Sequence, residues 1–138
     1  MFHCLYIKRI EKETSESVSI EFEVPKKFLN DFSFKAGQFL ILKKFIRGEE
    51  IRRSYSLCST PESGQFKVVV KQIPNGKFST FANTELKPGD QIEIGLPRGN
   101  FFVQTDSNNT KSYTLIAAGS GITPVFSILK TILVEEPN

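Results

Sequence analysis

The run "EEIRRSYSLCSTPESG", Glu49 to Gly64, departs from the pattern of an ordinary barrel strand. Its centre, "RRSYS", places two arginines, a tyrosine and two serines where such a strand alternates aliphatic and polar side chains. Arg53 and Tyr55 are two residues apart and therefore project from one face of a strand, whereas Ser54 and Ser56 project from the other. A guanidinium beside an aromatic ring suits a ligand that carries both an anion and a flat ring. Taken alone, the pattern also fits an exposed strand with a solvated arginine.

Runs of strand type lie on both sides of this stretch. "SVSIEFEV" (residues 17–24) alternates apolar and polar residues, which predicts a strand with one solvent-exposed face. "QFLILKKF", "QFKVVVKQI" and "DQIEIGLP" are further strand candidates, and turn signals such as "KAG", "RGEE", "PNGK" and "LKPGD" separate them. Regularly spaced short strands with Gly and Pro turns predict a mainly β fold, a closed antiparallel barrel. One short helix is expected at "KFSTFANTEL".

The chain changes character after Phe102. "SYTLIAAGSGITPVFSILKTIL" (residues 112–133) begins as an apolar strand, Tyr113 to Ala117, and passes through a glycine-rich turn into a predicted helix. The apolar residues of that helix recur at helical spacing: Val125, Ile128, Leu129, Ile132 and Leu133. Strand, glycine turn and helix form the first unit of a doubly wound, Rossmann-like nucleotide domain.

This change predicts a barrel domain over residues 1–104, a linker over 105–111 and an incomplete second domain over 112–138. A lone β-α unit cannot bury both of its faces. We therefore expect it to dock on the barrel or on another chain.

Two glycine turns are candidate phosphate sites. In "PNGKFSTFAN" a helix is predicted to start near Phe78, which leaves unpaired backbone N–H groups beside Ser79 and Thr80. The alternative is a tight turn in which the serine satisfies its own helix end. In "AAGSGITP", Gly119 and Gly121 let the backbone approach a diphosphate closely. Proline follows where the usual dinucleotide fingerprint has its third glycine, so this motif is a variant.

Composition argues against several other classes. Cys4 and Cys58 are too few for an iron–sulfur cluster or a structural zinc site within this chain, and they are interpreted as ordinary half-buried thiols. A catalytic triad or metal site on the single histidine, His3, is not expected. The net charge is +3 with scattered lysines, which does not predict a nucleic-acid partner. No run has the length of a membrane span and no signal peptide is evident, so no membrane partner and a cytoplasmic location are predicted.

Four motifs in order, "RSYS" (53–56), "GKFS" (76–79), "LKPGDQIEIGLPRGNF" (86–101) and "AAGSGITP" (117–124), together resemble the ferredoxin–NADP reductase superfamily. Within it, the chain is most similar to the reductase components of multicomponent oxygenases, particularly those of phenylacetate degradation. The resemblance extends from about Ser17 to Val134. It implies a six-stranded Greek-key flavin-binding barrel followed by the start of an NAD(P)-binding domain. Members of this family continue for roughly another domain, so the chain looks truncated.

The resemblance assigns the opening stretch to a flavin. It implies that Arg53 pairs with the FAD diphosphate, that Tyr55 packs against the isoalloxazine, and that Ser56 hydrogen-bonds at flavin N5. Strict alternation would turn the Ser56 side chain away from Tyr55, and the family solves this with local twist and backbone N–H donors.

The remaining motifs match further cofactor contacts of the family. Those of the diphosphate-binding turn are Gly76, Lys77, Phe78 and Ser79. Those of the nicotinamide-dinucleotide loop are Gly119, Gly121, Thr123 and Pro124. Thr123 would lie where nicotinamide and flavin meet, which makes it a catalytic candidate together with Tyr55 and Ser56. Gln38, in "AGQF", matches a strand-start position with a structural role.

By the same resemblance, the protein is an FAD-dependent NAD(P)H oxidoreductase. NAD(P)H would deliver a hydride to the flavin, and electrons would leave singly to a ferredoxin-type domain or an oxygenase component, in phenylacetate or related aromatic degradation. A 2Fe-2S centre is expected only if a further domain with four cysteine ligands follows. One alternative is a flavin-binding electron-transfer subunit of a larger complex. Another is a non-enzymatic barrel that binds oligonucleotides or sugars on its aromatic side chains.

Overall fold

The computed structural model describes residues 1–136, and a curled antiparallel sheet forms most of its regular structure. The six strands are β1 (Phe2–Thr14), β2 (Ser17–Glu23), β3 (Phe39–Ile46), β4 (Glu49–Ser56), β5 (Phe66–Lys71) and β6 (Gln91–Gly95). The helices are α1 (Lys77–Thr84), α2 (Ile122–Glu135) and short 3-10 turns at Lys26–Phe28, Pro61–Ser63 and Gly119–Gly121.

The strands lie in the order β4-β3-β6-β1-β2-β5, and every pairing is antiparallel. The two edge strands, β4 and β5, meet through a bridge between Leu57 and Val68, beside which the Cys58 N–H donates to the Lys67 carbonyl at 2.9 Å. Strands β3, β4 and β5 are therefore neighbours in turn, and β6 returns beside β3, which is a Greek-key arrangement. The predicted six-stranded barrel is confirmed, but among the described residues its closure is limited to this bridge.

The core fills the inside of the curled sheet. Each strand contributes alternate apolar residues, and the fully buried ones include Leu5, Ile20, Leu40, Leu42, Val68, Val70, Ile92 and Ile94. Helix α1 begins at Lys77, close to the predicted start, and inserts Phe78 and Ala82 into the same cluster. The helix thereby covers the core behind the opening between β4 and β5.

The prediction that β2 has one solvent-exposed face is wrong. Its inward residues are buried as expected, but Ser19 and Glu21 on the other face are only 1% and 5% exposed. β2 lies between β1 and β5, whose long side chains cover it: Glu11 is opposite Ser19, and Lys67 is opposite Glu21. Long charged side chains bury much surface with their stems, which an alternation pattern within one strand does not show.

The predicted helix after the glycine turn is confirmed as α2, but the predicted strand from Tyr113 to Ala117 is wrong. This segment has no regular secondary structure and pairs with no strand among residues 1–136. A β-strand requires a neighbour for its backbone hydrogen bonds, and the described residues supply none at this position.

Helix α2 docks on the barrel, which is one of the two arrangements expected from the sequence; the other was docking on another chain. Ile128 and Ile132 pack with Ala36 in a second small cluster. The buried Ser127 hydroxyl donates to the Ser59 carbonyl at 2.6 Å. Leu133, on the opposite face of α2, remains 68% exposed.

The segment 105–111 is held against the end of α2 by Glu136. Its carboxylate accepts hydrogen bonds from the Asn109 side chain at 2.7 Å, the Asp106 N–H at 2.9 Å and the Tyr113 hydroxyl at 2.8 Å. These hydrogen bonds, of which the one from Asn109 has the largest effect, lower the pKa of Glu136. The hydrogen bond to Glu136 in turn raises the pKa of Tyr113. Most side chains of this segment are exposed, and its contacts with Glu136 run through Asp106 and Asn109. The domain boundaries at 104/105 and 111/112 remain predictions.

Replacing Gly37 with Ala should destabilise the fold by about 2 to 4 kcal/mol. Gly37 has φ +99°, and an added Cβ would lie 2.1 Å from the Phe101 carbonyl oxygen and 3.0 Å from Ile128 Cδ1. Gly48 is a matched control, since it has φ +83° with no atom within 4 Å of an added Cβ. Gly48→Ala should cost only about 1 kcal/mol. Urea unfolding measures both, and equal losses would contradict the close contact at Gly37.

Candidate functional site

The open side of the barrel exposes two strand edges. β4 pairs along its length only with β3, and β5 only with β2. We call the space between Arg52–Ser56 of β4 and Val69–Lys71 of β5 the β4–β5 gap. Unpaired strand edges carry backbone donors and acceptors that require a partner.

The direction of each backbone N–H of β4 follows from one hydrogen bond. The Leu57 N–H donates to the Gln38 carbonyl at 2.9 Å, toward β3, and the β3–β4 register continues without a shift to Glu49. Backbone groups alternate sides along an antiparallel strand, so the N–H groups of Arg53 and Tyr55 also point to β3. Those of Ser54 and Ser56 point into the β4–β5 gap.

The same reasoning applies to β5. The Gln72 N–H donates to the Glu16 carbonyl at 2.7 Å, on the side of β2. By alternation, the backbone groups of Val69 and Lys71 point away from β2 and into the gap. The gap is therefore lined on both sides by hydrogen-bonding groups without a strand partner, which suits a flat polar ring.

Tyr55 supplies an aromatic surface at this gap. Its ring packs against Phe78 with centroids 5.6 Å apart and planes 35° apart. Burial raises the pKa of Tyr55 to about 12, although the nearby Arg53 guanidinium opposes the shift. The side chain is therefore a neutral phenol at physiological pH.

The two arginines of "RRSYS" differ in their ion-pair partners within the chain. The Arg52 guanidinium pairs with Glu50 at 2.7 Å and lies over the Phe2 ring. Arg53 makes no ion pair in residues 1–136, and its Nη1 donates to the Arg52 carbonyl at 2.7 Å. Arg53 is thus the cation available to an anionic ligand, as the sequence motif predicts.

Helix α1 brings its N-terminal end to the start of β4. Its first internal bond runs from the Thr80 N–H to the Gly76 carbonyl at 2.9 Å, so the three preceding N–H groups have no partner within the helix. The Lys77 ammonium forms an ion pair with Glu49, which joins α1 to β4. The free N–H groups at a positive helix end can bind an anion.

The Ser79 and Phe78 side chains of this turn already have partners within the protein, which the motif does not predict. The Ser79 hydroxyl accepts from the Ile73 N–H at 3.2 Å and donates to the Gly76 carbonyl at 3.3 Å. The alternative interpretation of a serine that satisfies its own turn therefore describes this hydroxyl. Phe78 is a core residue at 1% exposure. Gly76 leaves room for the turn, since an added Cβ would lie 2.2 Å from Ser79 Oγ.

The second glycine turn caps α2 near the end of β4. Gly119 has φ +55°, and no atom lies within 4 Å of an added Cβ at Gly119 or Gly121, so a ligand has space beside this backbone. The Thr123 hydroxyl donates to the Ser120 carbonyl at 3.0 Å. Pro124 lies in the first turn of the helix, where its missing N–H costs no internal bond.

A cleft of about 330 Å³ separates this turn from the residues that follow β4. Its lining includes Cys58, Ser59, Lys67, Thr123, Phe126 and Lys130. The structure thus brings Thr123 across from Cys58. No hydrogen bond or ring contact within residues 1–136 joins Thr123 to Tyr55 or Ser56.

Sequence reasoning missed Lys67 and Lys130 as cleft residues, because only the fold brings them together and neither lies in a motif. Cys58 is free and half-buried as predicted, whereas the prediction is wrong for Cys4, which is exposed. Burial raises the pKa of the Cys58 thiol more than Lys67 lowers it. It is therefore a weak nucleophile at neutral pH. Within residues 1–136 no group of three or more His, Cys, Asp or Glu could hold a metal ion.

Gln38 has the structural role that its position predicts. Its side chain accepts from the Lys35 N–H at 2.9 Å and donates to the Gly99 carbonyl at 3.2 Å. These bonds fix the start of β3, which positions the neighbouring β4.

Residues 5–103 match the family described as "Oxidoreductase FAD-binding domain". The chain belongs to this family. It is 40% identical over 136 residues to one subunit of the 1,2-phenylacetyl-CoA epoxidase of Escherichia coli K12, a match that covers 99% of this chain and 38% of the relative. It is 35% identical over 133 residues to the ferredoxin reductase component of the 3-ketosteroid-9-alpha-monooxygenase of Rhodococcus rhodochrous, a match that covers 95% and 37%.

A solved structure supports the same assignment. Phthalate dioxygenase reductase, described as modular for electron transfer from pyridine nucleotides to [2Fe-2S], superposes with a TM-score of 0.77 at 30% identity. The match covers 96% of this chain and 40% of that one. The predicted superfamily and fold are thereby confirmed: this is an FAD-binding oxidoreductase domain of ferredoxin reductase type. The chain spans about two fifths of the length of these relatives.

The same match argues against a non-enzymatic barrel. As for membrane association, residues 1–136 contain no helix that combines the length and hydrophobicity needed to cross a bilayer. The individual site residues, from Arg53 to Pro124, remain predictions, since a family assignment does not test them.

Tyr55→Phe should remove a tyrosine that ionises near pH 12. Because burial raises the folded pKa from 10.0 to about 12, the neutral phenol favours the folded state. That contribution is present below pH 10 and is lost as the pH rises toward 12. The difference in tyrosinate absorbance between wild type and variant isolates this residue. If the tyrosinate absorbance that the variant lacks instead appears near pH 10, Tyr55 is not buried in this way.

Proposed function

We propose that this chain holds FAD in the β4–β5 gap as the flavin domain of an NAD(P)H-dependent oxidoreductase. FAD supplies a ring that takes up a hydride and releases electrons one at a time. The observation that carries the proposal is the gap itself, where unpaired backbone N–H groups lie beside a neutral aromatic ring and an unpaired guanidinium. A flat ring with polar edges and an anionic tail fits this combination.

The proposed contacts use groups without a strand or ion-pair partner in residues 1–136, apart from Lys77, which pairs with Glu49. The Tyr55 ring would cover one face of the flavin, and the Ser56 backbone N–H would donate to the ring edge. Arg53 would neutralise the diphosphate, and the free N–H groups at the start of α1, within Gly76–Ser79, would complete its hydrogen bonds. Lys77 would add charge at the same place. These residues orient the cofactor, and no proton-transfer residue is required of them.

We assign the glycine turn before α2 to the diphosphate of NAD(P)H. Gly119 and Gly121 allow a close backbone approach, and Pro124 follows in the first helical turn. Thr123 faces the cleft at the end of β4, where the nicotinamide would meet the flavin. This placement would let the two rings approach while water is excluded.

The acceptor of the electrons is proposed from the relatives. The phenylacetyl-CoA epoxidase subunit and the ferredoxin reductase component of a monooxygenase are both similar to this chain. We therefore propose a ferredoxin-type domain or an oxygenase component as acceptor, in phenylacetate or related aromatic degradation, in the cytoplasm. A 2Fe-2S centre would lie outside residues 1–138, because two cysteines cannot ligate one.

Titration with FAD and with FMN tests the cofactor. The chain should bind FAD more tightly, because Arg53 and the start of α1 together offer more anion donors than one phosphate needs. Flavin fluorescence follows both titrations. Equal or tighter binding of FMN would overturn the assignment of two phosphate contacts.

Arg53→Ala should weaken FAD binding by roughly ten- to hundredfold, since a charge-assisted contact is worth about 1.5 to 3 kcal/mol. Arg52→Ala is the matched control, because its guanidinium is already paired with Glu50 and lies outside the proposed contact. Its dissociation constant should change less than about threefold. Loss of FAD by Arg52→Ala alone would place the wrong arginine at the diphosphate.

By itself, this chain should be a poor NAD(P)H oxidoreductase. In residues 1–136 the nicotinamide side consists of the glycine turn and α2, without a pocket for adenosine, and remote binding energy is what positions the reacting ring. Dithionite should reduce the bound flavin normally, whereas NADH and NADPH should do so slowly and without saturation at micromolar concentrations. Anaerobic stopped-flow absorbance measures this. Rapid, saturable reduction would contradict the prediction.

A further inference from the structure

A cavity of about 540 Å³ opens at the barrel end where β2 leaves the sheet. It includes no residue of β4 or of α1, so it is separate from the β4–β5 gap. We call it the β2-end cavity, and its lining includes Lys8, Glu21, Glu23, Phe32, Phe34 and Phe66. Its volume lies within the range of small-molecule sites.

One wall of the β2-end cavity is aromatic and fixed. The Phe32 and Phe66 rings meet edge to face at 5.3 Å, and Phe34 meets Phe66 at 5.9 Å. Phe32 and Phe66 are 3% and 4% exposed and belong to the main core. The half-buried Phe34 offers most of the accessible ring surface of this wall, and aromatic rings attract cations.

Glu21 supplies a carboxylate in which one oxygen can still accept a hydrogen bond. The residue is 5% exposed, and its Oε1 accepts from the Lys8 ammonium at 2.7 Å. Its Oε2 has no hydrogen-bond partner among residues 1–136. This oxygen is not fully buried, so it remains accessible to a donor that enters the cavity.

The position of Lys8 explains why only one oxygen is engaged. Ile7 is opposite Phe22 and Arg9 is opposite Glu21, so Lys8 is an extra residue in β1. Such a bulge redirects its side chain, in this case toward Glu21. The Lys8 side chain is 58% exposed and reaches the carboxylate from the outside.

The charges around the cavity favour a cation. Glu21, Glu23 and Lys8 contribute a net charge of about −1 at neutral pH. The other cations beside Glu21 are its cross-strand partners Arg9 and Lys67, and both pair with Glu11 at 3.4 Å. They are therefore partly neutralised and do not reach the free oxygen.

We propose that the β2-end cavity binds a small organic cation. An amine or amidinium head would donate to Glu21 Oε2, and an aromatic or aliphatic body would lie against Phe32, Phe34 and Phe66. This site is independent of the flavin and of the proposed oxidoreductase activity.

Benzamidine is a suitable probe, with neutral benzamide as its matched control ligand. Titrated into the ¹⁵N-labelled chain, benzamidine should shift the backbone amides of residues 21–24, 29–34 and 64–66. Benzamide should bind at least tenfold more weakly, because it lacks the charge that Glu21 recognises. Equal binding of the two ligands, shifts confined to other residues, or no binding at millimolar benzamidine would each overturn the proposal.

Three variants test whether Glu21 binds the charged group of benzamidine. Glu21→Gln should weaken benzamidine at least tenfold, and Glu23→Gln, at an exposed position, less than about threefold. Lys8→Gln should tighten it, since Glu21 then loses its internal counterion. If Glu21→Gln fails to fold, Lys8→Gln alone decides, because the lysine is largely exposed. Weaker or unchanged binding by Lys8→Gln would contradict the role of Glu21.

Discussion

The bridge between Leu57 and Val68 is where the edge strands β4 and β5 meet. The proposed flavin site depends on how short this contact between the strands is. If the two strands paired along their whole length, the backbone groups of Ser54 and Ser56 would form hydrogen bonds with β5. Instead they face the β4–β5 gap. Helix α1 then covers the core behind the gap with the buried side chain of Phe78.

With this geometry, the proposed site would bind a polar cofactor without disturbing the core. The Tyr55 ring packs on Phe78, and burial raises its pKa to about 12, so the phenol is neutral at physiological pH. The charges are arranged so that one arginine of the pair remains available. Glu50 engages Arg52, whereas Arg53 has only a backbone carbonyl.

The sequence predicted the parts of the site that depend on local pattern. The alternation of "RRSYS" assigned Arg53 and Tyr55 to one strand face, and the "PNGK" turn predicted the start of α1 to within one residue. Both follow from backbone geometry that a few neighbouring residues determine. The number of strands and the Greek-key arrangement came from resemblance to a family, not from the pattern of any one strand.

The errors concern features that distant residues decide. The outer face of β2 reads as solvent-exposed because serine and glutamate are polar, yet side chains from β1 and β5 cover it. The segment 113–117 has strand composition but no partner among the described residues. The Ser79 hydroxyl is engaged by Ile73 and Gly76, which no motif specifies. In each case the missing information is a tertiary contact.

Amide hydrogen exchange at Tyr55 and Ser56, with and without FAD, tests the central claim most directly. The Tyr55 N–H points to β3 and should be protected in both states. The Ser56 N–H points into the β4–β5 gap and should exchange rapidly without FAD, then become protected when FAD is added. A Ser56 amide already protected in the free chain, or one that FAD leaves unchanged, would contradict a flavin site built on the open edge of β4.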